Sequence, residues 1–569
     1  MYPHAEHCVG VCRVQVINII GKKRMFKKYI SDLRTEFKGY NGARFSKDVF
    51  AGITTCAVAL PLALAFGVSS GADAAAGLIT AIIAGIVIGA LSGASYQISG
   101  PTGAMAAILV SISAAHGVQG VFFVGLLSGI LLLIVGILKL GRLVSLIPAP
   151  VITGFTSGIA IIIVLGQLDN ILSMQASGSN YAAKIASYFA AGTAPNYWAV
   201  GITVCTVLFM VLYPKKLNEK LPGALAVIIL AIIINLIFKL PVDIIGTIPA
   251  TLLLPNRLQL TQVDWSQLSA FIAPAISVAC LGLVESLLCG ACGGVIKGEK
   301  MDANREVIAQ AVGNIIIPFF GGVPATAAIA RTSVAIKAGS QTRLTSIIHG
   351  LGLVASMLLL GSVMSNIPLS VLAGVLLVTA WRMNDWAKIK SLFKLKFKSS
   401  IMMFLLTMVG TVVFDLTAAI ALGVLAALVV YVYKSSRIIV DYEKVDLTHI
   451  NIPQTGKKEE WGVVFVTGPL FFLTCDTLKN TLETLDDEVT IFSMRGVTHA
   501  DDGAAELLHR YAVQQQEKGG KVVFACLQNQ VKAMFDRYGL TETVGENAIY
   551  FTVDKAINAL VAQEISVTG

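Results

Sequence analysis

The sequence predicts an α-helical, polytopic membrane protein of fourteen spans, built as 7+7 inverted repeats and followed by a small α/β domain. Three observations carry that prediction. Charged residues are only 14% of the 569, against about 25% in soluble proteins. Apolar runs succeed one another as far as about residue 434, where the composition turns to ordinary polarity. Two short interruptions, Gln97-Ile98-Ser99-Gly100-Pro101-Thr102-Gly103 and Gly321-Gly322-Val323-Pro324-Ala325-Thr326-Ala327, stand in corresponding positions of the two halves. The expected division is an N-terminal segment at 1–47, a transmembrane domain at 48–434, a linker at 435–460 and an α/β domain at 461–569.

The apolar segments lie near 48–68, 73–92, 101–115, 119–138, 147–165, 198–213, 222–239, 270–296, 304–320, 324–338, 343–363, 367–382, 399–414 and 416–434. A full span takes about 20 residues, so the third and tenth are short, as helices that end at mid-bilayer are. Basic residues test the count. Lys22, Lys23, Arg24, Lys27, Lys28, Arg34, Lys38, Arg44 and Lys47 precede the first span. Lys139 and Arg142 follow the fourth, Lys215, Lys216 and Lys220 the sixth, Lys297, Lys300 and Arg305 the eighth, and Lys337 and Arg343 the tenth. Lys388, Lys390, Lys394, Lys396 and Lys398 follow the twelfth, and Lys434 and Arg437 the fourteenth. The opposite loops hold only Lys184, Lys239 and Arg257. Positive loops stay in the cytoplasm, so both termini and the α/β domain are expected there. The net charge of +9 follows from these loops and does not point to nucleic acid.

An odd number of spans per repeat inverts the second copy. The third and tenth spans then enter from opposite faces and meet near the centre, the pattern of a secondary transporter whose broken helices point their N-termini at a midplane site. A helix N-terminus carries free N–H groups and partial positive charge, and two facing each other favour an anion. Thr102 and Thr326 open these half-helices. Their hydroxyls, with the backbone N–H groups around Gly100, Gly103, Ala325 and Ala327, suit an oxyanion; N-capping is the structural alternative. Gln97 and Ser99 offer further polar contacts, and Gly100 and Gly103 permit close backbone approach.

Glu285 stands in the apolar run Leu283-Val284-Glu285-Ser286-Leu287. A charge at bilayer depth costs roughly 3 kcal/mol on insertion, which favours its neutral, protonatable form and a coupling or gating role. The alternative is a carboxyl bonded to neighbouring helices. Arg331 is expected about a turn and a half into the second half-helix. There it raises the positive potential of an anion site, or bonds between helices or snorkels. Glu306, Gln310 and Asn314 repeat at four-residue spacing and read as interhelical hydrogen-bonding groups. Cys289 and Cys292 read as small packing residues on the face near Glu285.

The scattered cysteines suit packed residues, not a disulfide framework. His4, His7, Cys8 and Cys12 fit no zinc spacing, so neither a metal nor a cofactor is expected. Residues 1–20 lack the features of a signal peptide, and Met25 opens a more typical basic lead, which makes the first 24 residues an expected over-extension of the start.

The motifs together resemble the sulfate permease (SulP) family. Gln97–Gly103 is similar to the family's third-span signature, and Ala59-Leu60-Pro61-Leu62-Ala63-Leu64-Ala65-Phe66-Gly67 to its first span. Leu281–Leu288, Asn304-Arg305-Glu306 with Gln310 and Asn314, and Pro324–Thr332 resemble the eighth, ninth and tenth spans. The resemblance implies core and gate domains moving in an elevator-like cycle, a homodimer in a bacterial cytoplasmic membrane, and a substrate among sulfate, bicarbonate, chloride and dicarboxylates. Sodium-coupled bicarbonate members carry Asp where this chain has Glu285 and Thr where it has Cys289. That difference favours proton coupling over sodium, with sulfate the first expected substrate.

In the last 109 residues, strands are expected at 461–469, 489–494 and 521–525, with helices in 470–485, 504–517 and 531–538. The alternation gives an α/β domain that resembles the STAS domain following SulP membrane regions. Asp502, in Ala500-Asp501-Asp502-Gly503, stands where related regulators carry a phosphorylated serine, and either mimics that charge or caps a helix. Other classes remain: an uncoupled anion channel, or a nucleobase transporter on the same architecture. The tail and the Gln97–Gly103 motif argue against the latter. No nucleophile–base pair or nucleotide loop marks an enzyme.

Overall fold

The computed structural model describes residues 28–141, 147–174, 181–190, 194–218, 221–261, 268–414, 416–445 and 461–568. The N-terminal histidines and cysteines, Met25, the basic residues before Lys28, Arg142 and most of the expected linker lie outside them. The chain forms two units, Met1–Val424 and Leu425–Gly569.

In the first unit, residues 28–36 form helix α1. Asn41 caps α2 (Gly42–Ser69), accepting from Arg44 N at 3.0 Å, and Asp73 caps α3 (Ala74–Leu91), accepting from Ala76 N at 2.7 Å. The ribbon strand β1 (Ser99–Gly100) leads into α4 (Gly103–Ile137). The third and fourth expected segments run together in α4, but Gly117, at φ 66° and ψ −175°, breaks the helix between them. That left-handed φ is one a side chain resists and glycine accepts. Then come α5 (Ala149–Gly166), α6 (Tyr197–Leu212), α7 (Gly223–Phe238) and α8 (Leu268–Lys297). Next are α9 (Ala303–Ile316), strand β2 (Thr326–Ala327), α10 (Ile329–Lys337), α11 (Leu344–Met364) and α12 (Leu369–Met383). The amphipathic α13 (Trp386–Lys394), α14 (Lys398–Val413) and α15 (Leu416–Ser435) close the series.

Each expected apolar segment therefore coincides with a helix. Six are long and apolar enough to cross a bilayer: α2, α3, α4, Ala149–Leu172, α8 and α11. Shorter apolar helices occupy the remaining long segments. The protein is a multi-pass membrane protein, and exposed Leu, Ile, Val and Phe along α7, α11 and α14 are the residues a lipid-facing surface requires. Inside the unit, α4 packs on α8 and α9, α2 on α3 and α11, α5 on α14, and α6 on α12.

One expectation is corrected. The second half-helix does not begin near Pro324. Residues 324–328 stay extended or irregular, and α10 starts at Ile329. The backbone there is committed elsewhere: β2 pairs antiparallel with β1, Ser99 opposite Ala327 and Gly100 opposite Thr326, and Ala328 N donates to Ile98 O at 3.0 Å.

The second unit carries a five-stranded sheet in the order β3 (Ile439–Lys444), β4 (Trp461–Thr467), β5 (Val489–Gly496), β6 (Lys521–Ala525) and β7 (Ile549–Tyr550). β3 is antiparallel to β4, and the other pairings are parallel. Alternation along the strands serves two faces. Val464, Val466, Phe492, Met494 and Phe524 pack with α16 (Cys475–Leu482), α17 (Asp502–Glu517) and α18 (Asn529–Tyr538). Trp461, Val463, Ile491 and Val523 face the other way, onto Ile557 and Leu560 of α19 (Val553–Thr568). The expected strands and helices of this region are present. β3, inside the expected linker, adds an antiparallel edge, and β7 and α19 complete the sheet and its second face.

Candidate functional site

The site is built where two remote segments meet. β1 lies three residues before α4, and β2 two residues before α10, so a two-stranded ribbon sets the N-termini of both half-helices side by side. The ribbon is held by the polar stripe of α9. Gln310 Nε2 donates to Ser99 Oγ at 2.9 Å. Asn314 satisfies both backbone groups of Ala325, donating to its oxygen at 2.9 Å and accepting from its N–H at 2.7 Å. Glu306 accepts from Ser92 Oγ, from Gly93 N and from Gln310 Nε2. All three stripe residues are buried, as their expected interhelical role demands.

α8 covers the ribbon from the other side. Thr102 is the N-cap of α4: its hydroxyl accepts from Met105 N at 3.4 Å and donates to Glu285 Oε2 at 3.0 Å. Thr326 does not cap α10, which has Ala328 as N-cap and no side-chain capping bond. Its hydroxyl instead sits 2.9 Å from Ser286 Oγ and 3.2 Å from Gly282 O. Gln97 Nε2 donates to Ser286 O at 2.8 Å, and Ala327 N approaches Ser286 Oγ at 3.4 Å.

Arg331 is the third residue of α10, not a turn and a half inside it, and is only 1% exposed. It does not snorkel. Nη2 donates to Pro101 O at 2.8 Å, which ties the second half-helix to the loop preceding the first. Gly100 makes room for the guanidinium: a Cβ there would stand 2.4 Å from Arg331 Nη1.

The sequence-predicted residues Gln97, Ser99, Gly100, Thr102, Gly103, Glu285, Ala325, Thr326, Ala327 and Arg331 are thus brought together. Glu285 keeps partial access while the others are buried. Arg331 Nη1, Gln97 Oε1 and Gln310 Oε1 are buried polar atoms without a protein partner among the described residues. Buried hydrogen-bonding capacity of that kind calls for water or ligand. Beside Gly103, a cavity of about 160 Å³ runs along Phe66, Ser69, Ile163 and Gln167. Gln167 Nε2 bridges to Ser69 Oγ at 3.0 Å, between α5 and α2.

Ser286 and Thr332 escaped the sequence reading. Ser286 joins Thr326 and Ala327 to α8, and Thr332 Oγ1 accepts from Ile98 N at 3.1 Å and from Cys289 Sγ at 3.2 Å. The available signal was the spacing Gly282, Ser286, Cys289, Gly290, Gly293: a face of small residues, all buried. Cys292 is exposed and does not share that face.

The sulfate permease family profile matches residues 45–407 and the STAS domain profile residues 452–556. YvdB of Bacillus subtilis, whose own assignment as a sulfate transporter is provisional, is 32% identical over 525 residues, 90% of this chain and 97% of that protein. The bicarbonate transporter BicA of Picosynechococcus is 27% identical, over 90% of this chain and 94% of its own length. The solved transmembrane domain of a cyanobacterial BicA superposes with a TM-score of 0.61 at 27% identity, covering 68% of this chain and 98% of that one. Murine Solute Carrier 26 family member A9, an anion transporter, superposes over 91% of each chain with a TM-score of 0.77 at 18% identity, a likeness of fold.

Proposed function

Because this chain belongs to the sulfate permease family, we propose that it is a proton-coupled secondary transporter of a small anion, with sulfate as the first assigned substrate. It is a transporter and not an enzyme, as its family is. The supporting observation is the β1–β2 ribbon that sets two half-helix N-termini beside Glu285 and Arg331. The first turn of α10 has no side-chain acceptor, and Arg331 Nη1 has hydrogen-bonding capacity to spare. Both suit an oxyanion held by backbone donors and a positive field.

Charge provides the coupling. With Glu285 ionised, its carboxylate offsets Arg331 and repels an entering anion. When Glu285 takes a proton, Arg331 and the helix N-termini act unopposed and the anion binds. Release of the anion on the other side frees the carboxyl to lose its proton. Fourteen spans in two inverted halves, with a core carrying the ribbon past a gate in an elevator-like motion, would present this site alternately to each face. In this reading both termini and the STAS-like domain are cytoplasmic, the protein is a homodimer in a bacterial cytoplasmic membrane, and the Ser69–Gln167 bond is a core–gate contact that each cycle must break.

Sodium-coupled bicarbonate uptake is the second reading, because BicA relatives match nearly the whole chain. The thiol of Cys289, bonded to Thr332, offers no hard oxygen for sodium, and this favours the proton. The test is competition: labelled sulfate uptake into proteoliposomes against excess bicarbonate, dicarboxylate or chloride. Sulfate uptake saturating and displaced by unlabelled sulfate supports the assignment. No sulfate uptake in tight, correctly reconstituted vesicles transfers it to whichever anion is carried.

A further inference from the structure

The segment between α12 and α14 serves no role in the site. Between Trp386 and Lys398 it carries Lys388, Lys390, Lys394, Lys396 and Lys398 and no acidic residue. The helix α13 is pinned at its start, where Asp385 accepts from Lys388 N at 3.1 Å; it ends at Lys394, and in the turn after it Lys396 has a φ of 52°. Leu392 is its one buried side chain, and Phe393 makes an edge contact with Phe404 of α14, ring centroids 6.0 Å apart. Apart from the half-buried Ile389, the rest of its apolar surface is uncovered in the chain: Trp386 is 45% exposed and Phe393 46%, and the following Leu395 and Phe397 over half. The Trp386 ring lies against that of the exposed Trp381, tilted by 35° with centroids 4.4 Å apart, and Trp386 Nε1 donates to the Trp381 carbonyl at 3.0 Å.

Helical steps of about 100° put Trp386 and Phe393 within about 20° of each other, with Lys390 and Lys394 about 40° and 80° from Trp386 and Lys388 on the opposite side, about 160° away. Among the described residues, none of the five lysines takes part in an ion pair. Aromatic rings next to unneutralised lysines, on a short helix between two apolar ones, match one environment: acyl chains below and negative headgroups above. A protein partner would have to supply several carboxylates around an aromatic pocket. An anionic leaflet supplies both parts without further design.

We propose that α13 and the turn after it form a binding surface for anionic phospholipid headgroups, with Trp381, Trp386 and Phe393 seated in the interface and Lys390 and Lys394 on the headgroup phosphates. Each lysine engaged at such a surface contributes about fivefold to headgroup affinity, and its acylation should slow accordingly.

The full-length protein is placed in nanodiscs of phosphatidylcholine alone or doped with phosphatidylglycerol, and acylation of individual lysines is followed by peptide mass spectrometry. Lys390 and Lys394 should be protected only where phosphatidylglycerol is present, Lys388 on the opposite side should not, and protection should fall as salt is raised. Equal protection in both nanodiscs means that a protein surface covers the helix, and no protection in either means that nothing does; both overturn the proposal. The double variant Lys390→Gln/Lys394→Gln should lose at least tenfold in phosphatidylglycerol binding in native mass spectra, and Lys390→Arg/Lys394→Arg should keep it. Unchanged binding in the Gln variant overturns the proposal, and the wild-type salt titration decides if that variant fails to fold.

Discussion

Thr102 and Glu285, 183 positions apart in sequence, share a hydrogen bond of 3.0 Å from the Thr102 hydroxyl to Glu285 Oε2. The donor also caps α4, so one hydroxyl links the helix end that would attract an anion to the carboxyl that would carry a proton. Thr102→Val removes both functions with little change of volume. Loss of the cap should cost about 1 kcal/mol of stability. Loss of a hydrogen bond to an ionised carboxylate, about 1.5–3 kcal/mol, removes support from the form of Glu285 that repels the anion, so the apparent KM for the transported anion should fall by up to about tenfold. Thr102→Ser should stay near wild type in both uptake and thermal melting.

Gly100 and Arg331 are in contact by necessity. A Cβ at position 100 would displace a buried guanidinium that already donates to Pro101. Gly100→Ala should therefore destabilise by about 1–3 kcal/mol and depress uptake more than it depresses the amount of protein in the membrane. Uptake per molecule, measured beside the melting temperature, separates the two effects.

Away from the site, Glu36 and Arg343 form a buried two-point pair, at 2.9 Å to Nε and 2.7 Å to Nη2, with the Arg343 N–H also donating to Glu36 at 2.7 Å. Their side chains are 10% and 5% exposed. Glu36→Gln leaves a buried guanidinium uncompensated and should cost about 3–5 kcal/mol, visible as a lowered melting temperature in detergent. Removing both charges in Glu36→Gln/Arg343→Gln should cost less than the sum of the two single changes.

Asp302 gives the pH dependence a sign. Burial pushes its carboxyl up, but the hydrogen bonds from Lys28 and from the Arg305 N–H outweigh burial and hold it below the ordinary carboxylate value. Its contribution to stability is thus complete above the unfolded value of about 3.9 and is lost as pH falls through the folded one. Thermal melting should show acid destabilisation below about pH 4 that is smaller in Asp302→Asn.

Much of this was legible in the sequence because membrane spans write themselves as apolar runs. The thirteenth and fourteenth segments, expected at 399–414 and 416–434, coincide with α14 and α15 within a residue or two. The Gln97–Gly103 motif places Thr102 as a cap correctly. Its counterpart misled: Pro324 looks like the first residue of a helix, yet the ribbon with Ser99 and Gly100 claims the backbone as far as Ala328. No local pattern can report a pairing between positions 99 and 327. The same holds for β3. Ile439–Lys444 is half polar because it is an edge strand, and its partner lies beyond residue 460. At the STAS-like turn Asp501, not Asp502, is the N-cap, accepting from Ala504 N at 2.9 Å. Two adjacent aspartates gave no way to choose between them.

The most direct measurement is sulfate uptake into proteoliposomes under an inward proton gradient, for wild type and Glu285→Gln side by side. Wild-type accumulation should follow the gradient and collapse when it is dissipated. Glu285→Gln, permanently neutral, should bind and exchange sulfate yet accumulate none in response to protons. Gradient-driven accumulation surviving in Glu285→Gln would contradict the account, and a wild type that ignores the proton gradient while following a sodium gradient would contradict it equally.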